Sequence, residues 1–247
     1  MIRTILVDDE RLARQELTGL LQGHSDIDLI GEASNADEAI ELIEQLKPDL
    51  IFLDIQMPEK TGFELLEELI TTPLVIFCTA YDEYALKAFE SNALDYLLKP
   101  VHGDRLKDAL GKVRKQIQER SKQETPDKLN EHQQVFIKDG DKCWFVKVGD
   151  IRRIESIGNY ARIFFDNHKP MIHRTLNDLE ARLPPEAFFR ANRKEIINLR
   201  NIEKIEPYFS GGLLTYLNTG ERVEISRRQA IRSVSYTHLT LPTKRIV

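Results

Sequence analysis

The first 120 residues alternate short apolar runs with longer segments in which apolar residues recur at helical spacing. The short runs suit strands covered on both faces of a sheet, and the longer segments suit amphipathic helices. The predicted strands are Thr4–Val7, Ile27–Ala33, Leu50–Leu53, Leu74–Cys78 and Asp95–Leu98. The predicted helices are Arg11–Leu21, Ala36–Leu46, Phe63–Leu69, Glu83–Glu90 and a long helix from Asp104 onward. This alternation predicts an α/β doubly wound domain over residues 1–120 with a five-stranded parallel sheet.

The pattern changes after residues 121–133, a polar stretch that contains Thr125-Pro126 and is predicted to be a linker with the domain boundary near residue 125. Residues 134–232 consist mostly of short β-type segments separated by turn signals at about hairpin spacing. These segments are Val135–Lys138, Cys143–Lys147, Ile151–Ser156, Arg162–Phe165, Ile196–Asn198, Ile202–Tyr208, Leu213–Leu217 and Arg222–Ile225. Only Leu176–Leu183 has helical spacing. The second half is therefore predicted to be a small, mostly β domain.

Polar side chains stand at or just beyond the predicted strand ends of the first half: Asp8 with Asp9, Asp54, Thr79 and Lys99. Right-handed crossovers place the carboxyl ends of parallel strands at one edge of the sheet, which is where open α/β sheets bind ligands. Three carboxylates in one pocket repel each other by roughly 4 kcal/mol per pair at ~4 Å with an effective dielectric of about 20. Either their pKa values rise or a cation joins them, and an oxygen-rich, partly hydrated pocket suits Mg²⁺.

This arrangement favours phosphoryl transfer, because bound Mg²⁺ would neutralise the charge of an incoming phosphoryl group. Asp54 would be the nucleophile, Lys99 would pair with the added phosphoryl oxygens, and the Thr79 hydroxyl would donate to another oxygen. Taken singly, Asp8 and Asp9 could instead cap the helix that follows them. Thr79 and Lys99, taken singly, could be ordinary surface or cap residues. The hypothesis depends on their combination at successive strand ends.

Charge is divided unequally between the two halves. Residues 1–120 carry 13 Lys and Arg against 24 Asp and Glu, a net of −11, and residues 131–232 carry 18 against 14, a net of +4. The basic half could meet a polyanion, although random variation of surface charge would give the same bias. The longest apolar runs are four or five residues, too short to span a membrane, and the acidic N-terminus is unlike a signal peptide. Cys78 and Cys143 indicate neither a disulfide framework nor a zinc site, so we expect a cytoplasmic protein.

Four segments of the first half resemble the receiver domain of two-component response regulators: Val7–Glu10, Leu53–Pro58, Cys78–Ala80 and Leu98–Pro100. The resemblance implies a flavodoxin-like sheet with strand order 2-1-3-4-5. It also implies that Asp54 accepts a phosphoryl group from a phosphohistidine on a sensor histidine kinase. A flavin site fits poorly, because the first loop is acidic where a phosphate would need N–H donors.

The same resemblance implies the metal ligands and the switch residues. Mg²⁺ would be held by Asp9, Asp54 and the backbone carbonyl of Gln56, with Asp8 acting mainly through water. A phosphatase with an Asp-x-Asp motif fits poorly, because residue 56 is Gln where that motif would have its second Asp. Lys99-Pro100 would be a cis peptide bond. Tyr96 would turn inward when Thr79 moves to the phosphoryl group, although an aromatic residue in a strand could also serve packing alone.

Segments of the second half resemble the LytTR-type DNA-binding domain: Ile154–Tyr160, Phe188–Arg193, Ile196–Leu199 and Ser226–Arg228. That family is almost entirely β and contacts DNA through loops. The positions that match its DNA-contacting residues are Ala161 with Arg162, Asn192 with Arg193, and Arg228. Position 192 is commonly His in the family, and Asn can pair with adenine. The alternative is that these basic side chains are solvated loop residues that make no contact with DNA.

The two resemblances together imply a phosphorylation-dependent, DNA-binding transcription regulator rather than an enzyme. The partners would be a sensor histidine kinase and double-stranded DNA with paired direct repeats. A homodimer would form on phosphorylation through the fourth helix, fifth strand and fifth helix of the receiver. The alternatives are a phosphorelay or scaffold protein whose second domain binds protein, and a Mg²⁺-dependent phosphatase.

The last segment, Ser233–Val247, is expected to continue neither the strands nor the closing helix that the LytTR family has after Ser226–Arg228. It is similar to the translation of a transposase adapter used in DNA sequencing libraries. We therefore expect residues 233–247 to be non-native, replacing natural sequence after about Arg232.

Overall fold

The computed structural model describes residues 1–69, 71–80, 94–120, 133–140 and 142–234. The chain forms two compact units that divide after Val148. None of the helices in the described ranges is long and apolar enough to cross a membrane. The predicted helix Glu83–Glu90 lies outside the described residues, as do most of the predicted linker and residues 235–247.

The N-terminal unit is built on a five-stranded parallel sheet, and this confirms the predicted fold class. Its strands are β1 (Ile2–Val7), β2 (Ile27–Ala33), β3 (Leu50–Leu53), β4 (Leu74–Thr79) and β5 (Asp95–Leu98). The strand order is β2-β1-β3-β4-β5. Because β3 and β4 are central and covered on both faces, every residue of these two strands is buried.

Helices cover both faces of this sheet. They are α1 (Arg11–Leu21), α2 (Ala36–Leu46), α3 (Gly62–Glu68) and α4 (Gly103–Arg120). Two separate apolar clusters lie on the two faces, one around Ile51 and Leu66 and the other around Phe52 and Leu110. Alternate residues of β3 thus belong to opposite faces, as the pleat of a strand requires.

A hairpin follows, formed by β6 (Gln134–Asp139) and β7 (Lys142–Lys147). Its aromatic side chains join the N-terminal unit. The ring of Phe136 stacks on Phe63 of α3 with centroids 6.1 Å apart, and the ring of Phe145 lies 6.4 Å from Phe77 of β4. This hairpin was predicted to begin the second domain, but its apolar face is buried against α3 and β4. The predicted boundary near residue 125 is therefore not where the contacts divide, which is after Val148.

Hydrogen bonds and an ion pair also join this hairpin to the segment before β4 and to α3. The backbone N–H of Thr72 donates to the carbonyl of Gln134 at 3.0 Å, and the Thr72 hydroxyl donates to the same oxygen at 3.2 Å. Lys138 forms an ion pair with Glu67 of α3 at 3.1 Å. Edge strands expose unpaired backbone groups, and here one of them is satisfied by the segment before β4.

The C-terminal unit is mostly β, as predicted. Its strands are β8 (Arg153–Ile157), β9 (Tyr160–Phe164), β10 (Met171–Ile172), β11 (Phe188–Arg190), β12 (Glu195–Asn198), β13 (Ile202–Pro207), β14 (Leu213–Leu217) and β15 (Arg222–Ile225). One sheet has the order β10-β9-β8-β12-β11, and a second has the order β13-β14-β15. The helices are α5 (Leu176–Arg182) and α6 (Arg227–Val234), and short 3₁₀ turns lie at Val148–Asp150, Leu199–Asn201 and Phe209–Gly211.

Three elements of this unit were missing from the sequence prediction: β10, β11 and α6. The expectation that Leu176–Leu183 is the only helix of this half was wrong. Residues 233–234 also continue α6, contrary to the expectation that they would extend no closing helix. This helix is two turns long and largely polar, and its few apolar positions recur at helical spacing over too short a stretch to stand out in the sequence. Its Ala230 packs against the apolar cluster that contains Ile197 and Ile225.

Candidate functional site

The polar residues singled out at the strand ends do converge at one edge of the parallel sheet. The backbone N–H of Asp54 donates to the carbonyl of Val7 at 2.8 Å, and that of Lys99 donates to the carbonyl of Thr79 at 2.9 Å. The ladder between parallel strands thus continues for one residue beyond the strand ends. These bonds hold the backbone beneath each side chain and aim the side chains into one pocket.

Lys99 bridges the two buried carboxylates of this pocket. Its Nζ lies 2.7 Å from Oδ2 of Asp8 and 2.6 Å from Oδ2 of Asp54. The remaining oxygens accept backbone hydrogen bonds, Oδ1 of Asp8 from Glu10 at 3.0 Å and Oδ1 of Asp54 from Gln56 at 3.1 Å. The backbone N–H groups therefore fix the rotation of each carboxylate.

Asp9 completes an acidic group with these two residues. Carboxylate oxygens of Asp8, Asp9 and Asp54 all lie within 4.8 Å of one another. Asp8 and Asp54 are buried, whereas Asp9 is exposed. The N-cap position of α1 is occupied by Glu10, which makes no side-chain capping bond, so neither Asp8 nor Asp9 caps this helix. The alternative that Asp8 or Asp9 serves as the helix cap is therefore wrong.

Burial and ion pairing compete in this pocket. Desolvation raises the pKa of Asp8 above its ordinary value, and it outweighs the opposing effects of the Lys99 ammonium and the Glu10 N–H. For Lys99, desolvation acts to lower the pKa, but hydrogen bonds to Asp54 and Asp8 outweigh it and raise the pKa. Lys99 is therefore charged at neutral pH, as a residue that binds an anionic group must be.

Thr79 and Tyr96 lie on the adjacent strands β4 and β5. The Thr79 side chain is 0% exposed, and within the described residues its hydroxyl has no hydrogen-bond partner. A buried hydroxyl without a partner costs about 1–3 kcal/mol, a cost that a bound acceptor group would remove. Tyr96 is buried in the same apolar cluster as Phe77, which is the inward position. The Lys99-Pro100 peptide bond is cis, as the resemblance implied.

Two residues that support the site carry no functional signal in the sequence. Gly62 lies against the acceptor strand so closely that a Cβ there would come within 2.4 Å of the carbonyl oxygen of Asp54. The guanidinium of Arg14 donates to the carbonyl of Asp8 and forms an ion pair with Glu32 at 3.1 Å. Its position one turn into α1 carried no signal in the sequence.

In the C-terminal unit, three loops meet at one edge. The backbone N–H of Ser226, before α6, donates to the carbonyl of Ala191 at 3.0 Å. The N–H of Ser156, near the β8–β9 turn, donates to the carbonyl of Lys194 at 2.8 Å. The exposed cations at this edge are Arg193 and Lys194 in the β11–β12 loop and Arg227 and Arg228 at the start of α6. We call this set of loops the cationic edge.

The other residues matched to DNA contacts are buried or bonded to neighbouring groups of the same unit. Both amide hydrogens of Asn192 are donated internally, to Glu195 at 3.0 Å and to the carbonyl of Glu224 at 2.7 Å. Its Oδ1 accepts from the N–H of Lys194 at 2.7 Å, so this side chain holds the loop in shape. Ala161 is fully buried in β9, and its side chain cannot reach a ligand. Arg162 lies within β9 and pairs with Glu155 at 3.7 Å.

Comparison with known proteins assigns one family to each half of the chain. Residues 4–111 match the family model of the response regulator receiver domain, and residues 141–232 match that of the LytTr DNA-binding domain. The chain is 35% identical over 229 residues to the sensory transduction protein LytT of Enterococcus faecalis, covering 92% of this chain and 95% of that protein. The chain belongs to the LytTR family of response regulators. Both resemblances found in the sequence are thereby confirmed.

Other relatives match this response regulator along most of their own length. It is 39% identical over 235 residues to the transcriptional regulatory protein BtsR of Salmonella typhi, covering 92% of this chain and 95% of the relative. The solved response regulatory domain of mrkE from Klebsiella pneumoniae is 34% identical and covers 48% of this chain and 99% of its own, with a TM-score of 0.44. The match to the LytTr model begins at residue 141, between the two strands of the β6–β7 hairpin.

Proposed function

We propose that this response regulator is a transcription regulator whose DNA binding is controlled by phosphorylation of Asp54. The observation that carries the proposal is the position of the Asp54 carboxylate. It is buried at the end of β3, 2.6 Å from the Lys99 ammonium and grouped with the carboxylates of Asp8 and Asp9. The phosphoryl donor would be a phosphohistidine on a sensor histidine kinase in the cytoplasm.

The residues present fit a Mg²⁺ ion. Asp9 and Asp54 would hold it with the backbone carbonyl of Gln56, and Asp8 would act mainly through water. Oxygen donors of this kind, one of them exposed, suit a cation that keeps part of its water shell. When bound, Mg²⁺ neutralises charge on the phosphoryl oxygens.

The chain's own residues would carry the transfer. An Oδ of Asp54 attacks the phosphorus atom, the P–O bond to Asp54 forms, and the P–N bond of the donor phosphohistidine breaks, returning the electron pair to the imidazole. Lys99 then pairs with a phosphoryl oxygen, and the Thr79 hydroxyl, which lacks a partner within the described residues, donates to another. Movement of Thr79 would secure Tyr96 in its buried position.

The output would be a homodimer that binds paired direct repeats in double-stranded DNA. Two weakly binding domains that are tied together gain effective concentration without any new DNA contact. The cationic edge supports this, since Arg193 and Arg228 are exposed there, whereas Asn192 acts by holding the loop. Arg162 would contribute from β9 beside them. The regulator would act through binding rather than through catalytic turnover.

Mass spectrometry after incubation with acetyl phosphate and Mg²⁺ tests the acceptor. We expect a labile adduct of about 80 Da, one phosphoryl unit, on the wild-type chain and on an Asp108→Asn control, whose carboxylate is an exposed side chain on α4. Asp54→Asn should abolish it. A persistent adduct on Asp54→Asn would refute the assignment.

Enrichment from random-sequence duplex DNA tests the output and separates it from the scaffold alternative. Phosphate contacts make DNA affinity fall steeply as salt rises, which binding to a protein partner need not do. We expect Arg228→Ala to weaken binding to the enriched duplex and to leave phosphorylation unchanged. Failure of the phosphorylated wild-type chain to enrich any sequence would contradict the proposed output.

A further inference from the structure

Two aromatic side chains are displayed at the tip of the β13–β14 connection. Phe209 is 78% exposed and Tyr208 is 38% exposed. Their rings meet edge to face with centroids 4.9 Å apart. Single exposed apolar residues are common on protein surfaces and need no explanation by themselves. What distinguishes Phe209 is the backbone that holds it outward.

The loop that carries this pair is closely tied. The N–H of Tyr208 donates to the carbonyl of Gly212 at 2.9 Å, and the N–H of Gly212 donates to the carbonyl of Phe209 at 3.1 Å. Ser210 and Gly211 both have left-handed backbone conformations, with φ of 57° and 80°. Such conformations are rare for a residue like Ser210, so the loop has one defined shape.

The loop also presses against the cationic edge. A Cβ at Gly212 would come within 2.8 Å of the carbonyl oxygen of Ile225, so only glycine permits this approach. A Cβ at Gly211 would lie 3.5 Å from Cδ of Arg227. Since Ser226 is bonded to Ala191, the aromatic pair, Arg227 and the β11–β12 loop share one end of the unit.

We propose that Phe209 makes an apolar contact with the bases of duplex DNA, beside the phosphates that Arg227 and Arg228 hold. The inference rests on the proposed DNA binding and extends the interface to a loop outside the positions matched to the family's DNA contacts. An exposed ring among cations fits DNA because its bases offer apolar groups between charged phosphates. Phe209 would pack on a thymine methyl group in the major groove or enter a base step as a wedge. Tyr208 supports the ring from its edge.

The test uses the full-length chain with acetyl phosphate and Mg²⁺, and the probe is the duplex that the wild-type chain enriches from random-sequence DNA. Phe209→Ala should bind this probe about tenfold more weakly, the loss expected for one buried phenyl ring. Its dependence on salt and its thermal unfolding should match the wild type, because no charge and no buried group is removed. Arg227→Ala should instead lower the salt slope by about one. Leu12→Ala, which removes a 72% exposed apolar side chain from α1, is the matched control and should bind normally.

Two further arms distinguish the modes of contact. If the ring packs on thymine methyl groups, replacing thymidine by deoxyuridine should weaken the wild type and leave Phe209→Ala unaffected. If the ring is a wedge, Phe209→Ala should bend the probe less than the wild type does. Either result supports the inference.

The inference that Phe209 contacts DNA bases would be overturned if Phe209→Ala and the wild type had equal affinity, equal bending and an equal response to deoxyuridine. It would also be overturned if Phe209→Ala changed only the oligomeric mass of the protein and not its binding to DNA. In that case a loss in Arg228→Ala would leave the proposed function standing. If the wild type enriches no duplex, the proposed function fails and the inference fails with it.

Discussion

The Phe136 ring of the β6–β7 hairpin stacks on the Phe63 ring of α3, with centroids 6.1 Å apart and ring planes 13° apart. Because Phe136 is buried there, the hairpin completes the apolar core of the receiver's sheet. Phe136→Ala should therefore lower the free energy of unfolding of the N-terminal unit by about 3 kcal/mol. Urea unfolding followed by far-ultraviolet circular dichroism measures this change. Leu12→Ala, an exposed apolar position in the same unit, should change stability little.

The same contact predicts the behaviour of fragments. A fragment of residues 1–148 should be more stable than one of residues 1–120, since the shorter fragment uncovers the side of Phe63 and Phe77 that the hairpin covers. Equal unfolding midpoints for the two fragments would contradict this role of the hairpin.

Lys99 pairs with two buried carboxylates, so its removal should lower stability before any phosphorylation. Lys99→Met should lower the free energy of unfolding by about 2 kcal/mol, less than for a fully buried pair because the pocket opens to solvent. Added Mg²⁺ should stabilise Lys99→Met more than the wild type, since the cation replaces the missing charge. Differential scanning calorimetry with and without Mg²⁺ measures both effects.

Lys60→Met provides the matched control for that experiment. Lys60 also bridges two carboxylates, Asp37 at 2.6 Å and Glu68 at 2.8 Å, but on the surface. Lys60→Met should therefore change the stability little and leave the response to Mg²⁺ unchanged. An identical Mg²⁺ response in Lys99→Met and the wild type would count against a cation site at Asp54.

A bidentate ion pair joins the α1–β2 loop to α4 and gives a pH-dependent contribution to stability. Arg114 donates from Nε and Nη2 to the two oxygens of Asp26, at 2.7 and 2.8 Å. These hydrogen bonds lower the pKa of Asp26 below its ordinary value of 3.8. The stabilisation is therefore present above about pH 4 and is lost as the pH falls through the lowered pKa.

Arg114→Gln should accordingly be less stable than the wild type at neutral pH, by no more than about 0.5 kcal/mol because the pair is partly exposed and screened. The difference should shrink in acid as Asp26 protonates. Urea unfolding at a series of pH values checks this, with high salt as a second condition that should also reduce the difference. A difference that grows in acid would show that the pair is not its source.

Asn192 and Arg193 are adjacent but should affect DNA binding differently. Asn192→Ala removes three internal hydrogen bonds and should weaken DNA binding without changing the enriched sequence, because the side chain shapes the loop. Arg193→Ala should relax the base preference, since an exposed Arg can reach base edges. Parallel enrichments from random-sequence DNA compare them. A new base preference in Asn192→Ala would mean that its amide reads a base directly.

Local pattern was sufficient for most of the first unit. The limits of β2, β3, β5, α1 and α2 agree with the predicted segments, because buried strands and amphipathic helices have distinct periods. The convergence of Asp8, Asp54 and Lys99 also followed from the sequence, since parallel strands end at one edge. In the second unit, β10 and β11 have only two and three residues, too few to show a period, and α6 has three apolar positions among largely polar residues.

Residue patterns identify the two families and the residues at the acidic edge of the parallel sheet, and the resemblance to receiver domains implies its strand order. The packing of the β6–β7 hairpin on α3, the inward hydrogen bonds of Asn192 and the exposure of Phe209 on a loop that lies against Arg227 are visible only in the folded chain. The cause is sequence separation. Hydrophobic periodicity shows that Phe136 has a buried face, but the identity of its partner Phe63, more than 70 positions earlier in the chain, is set by packing alone.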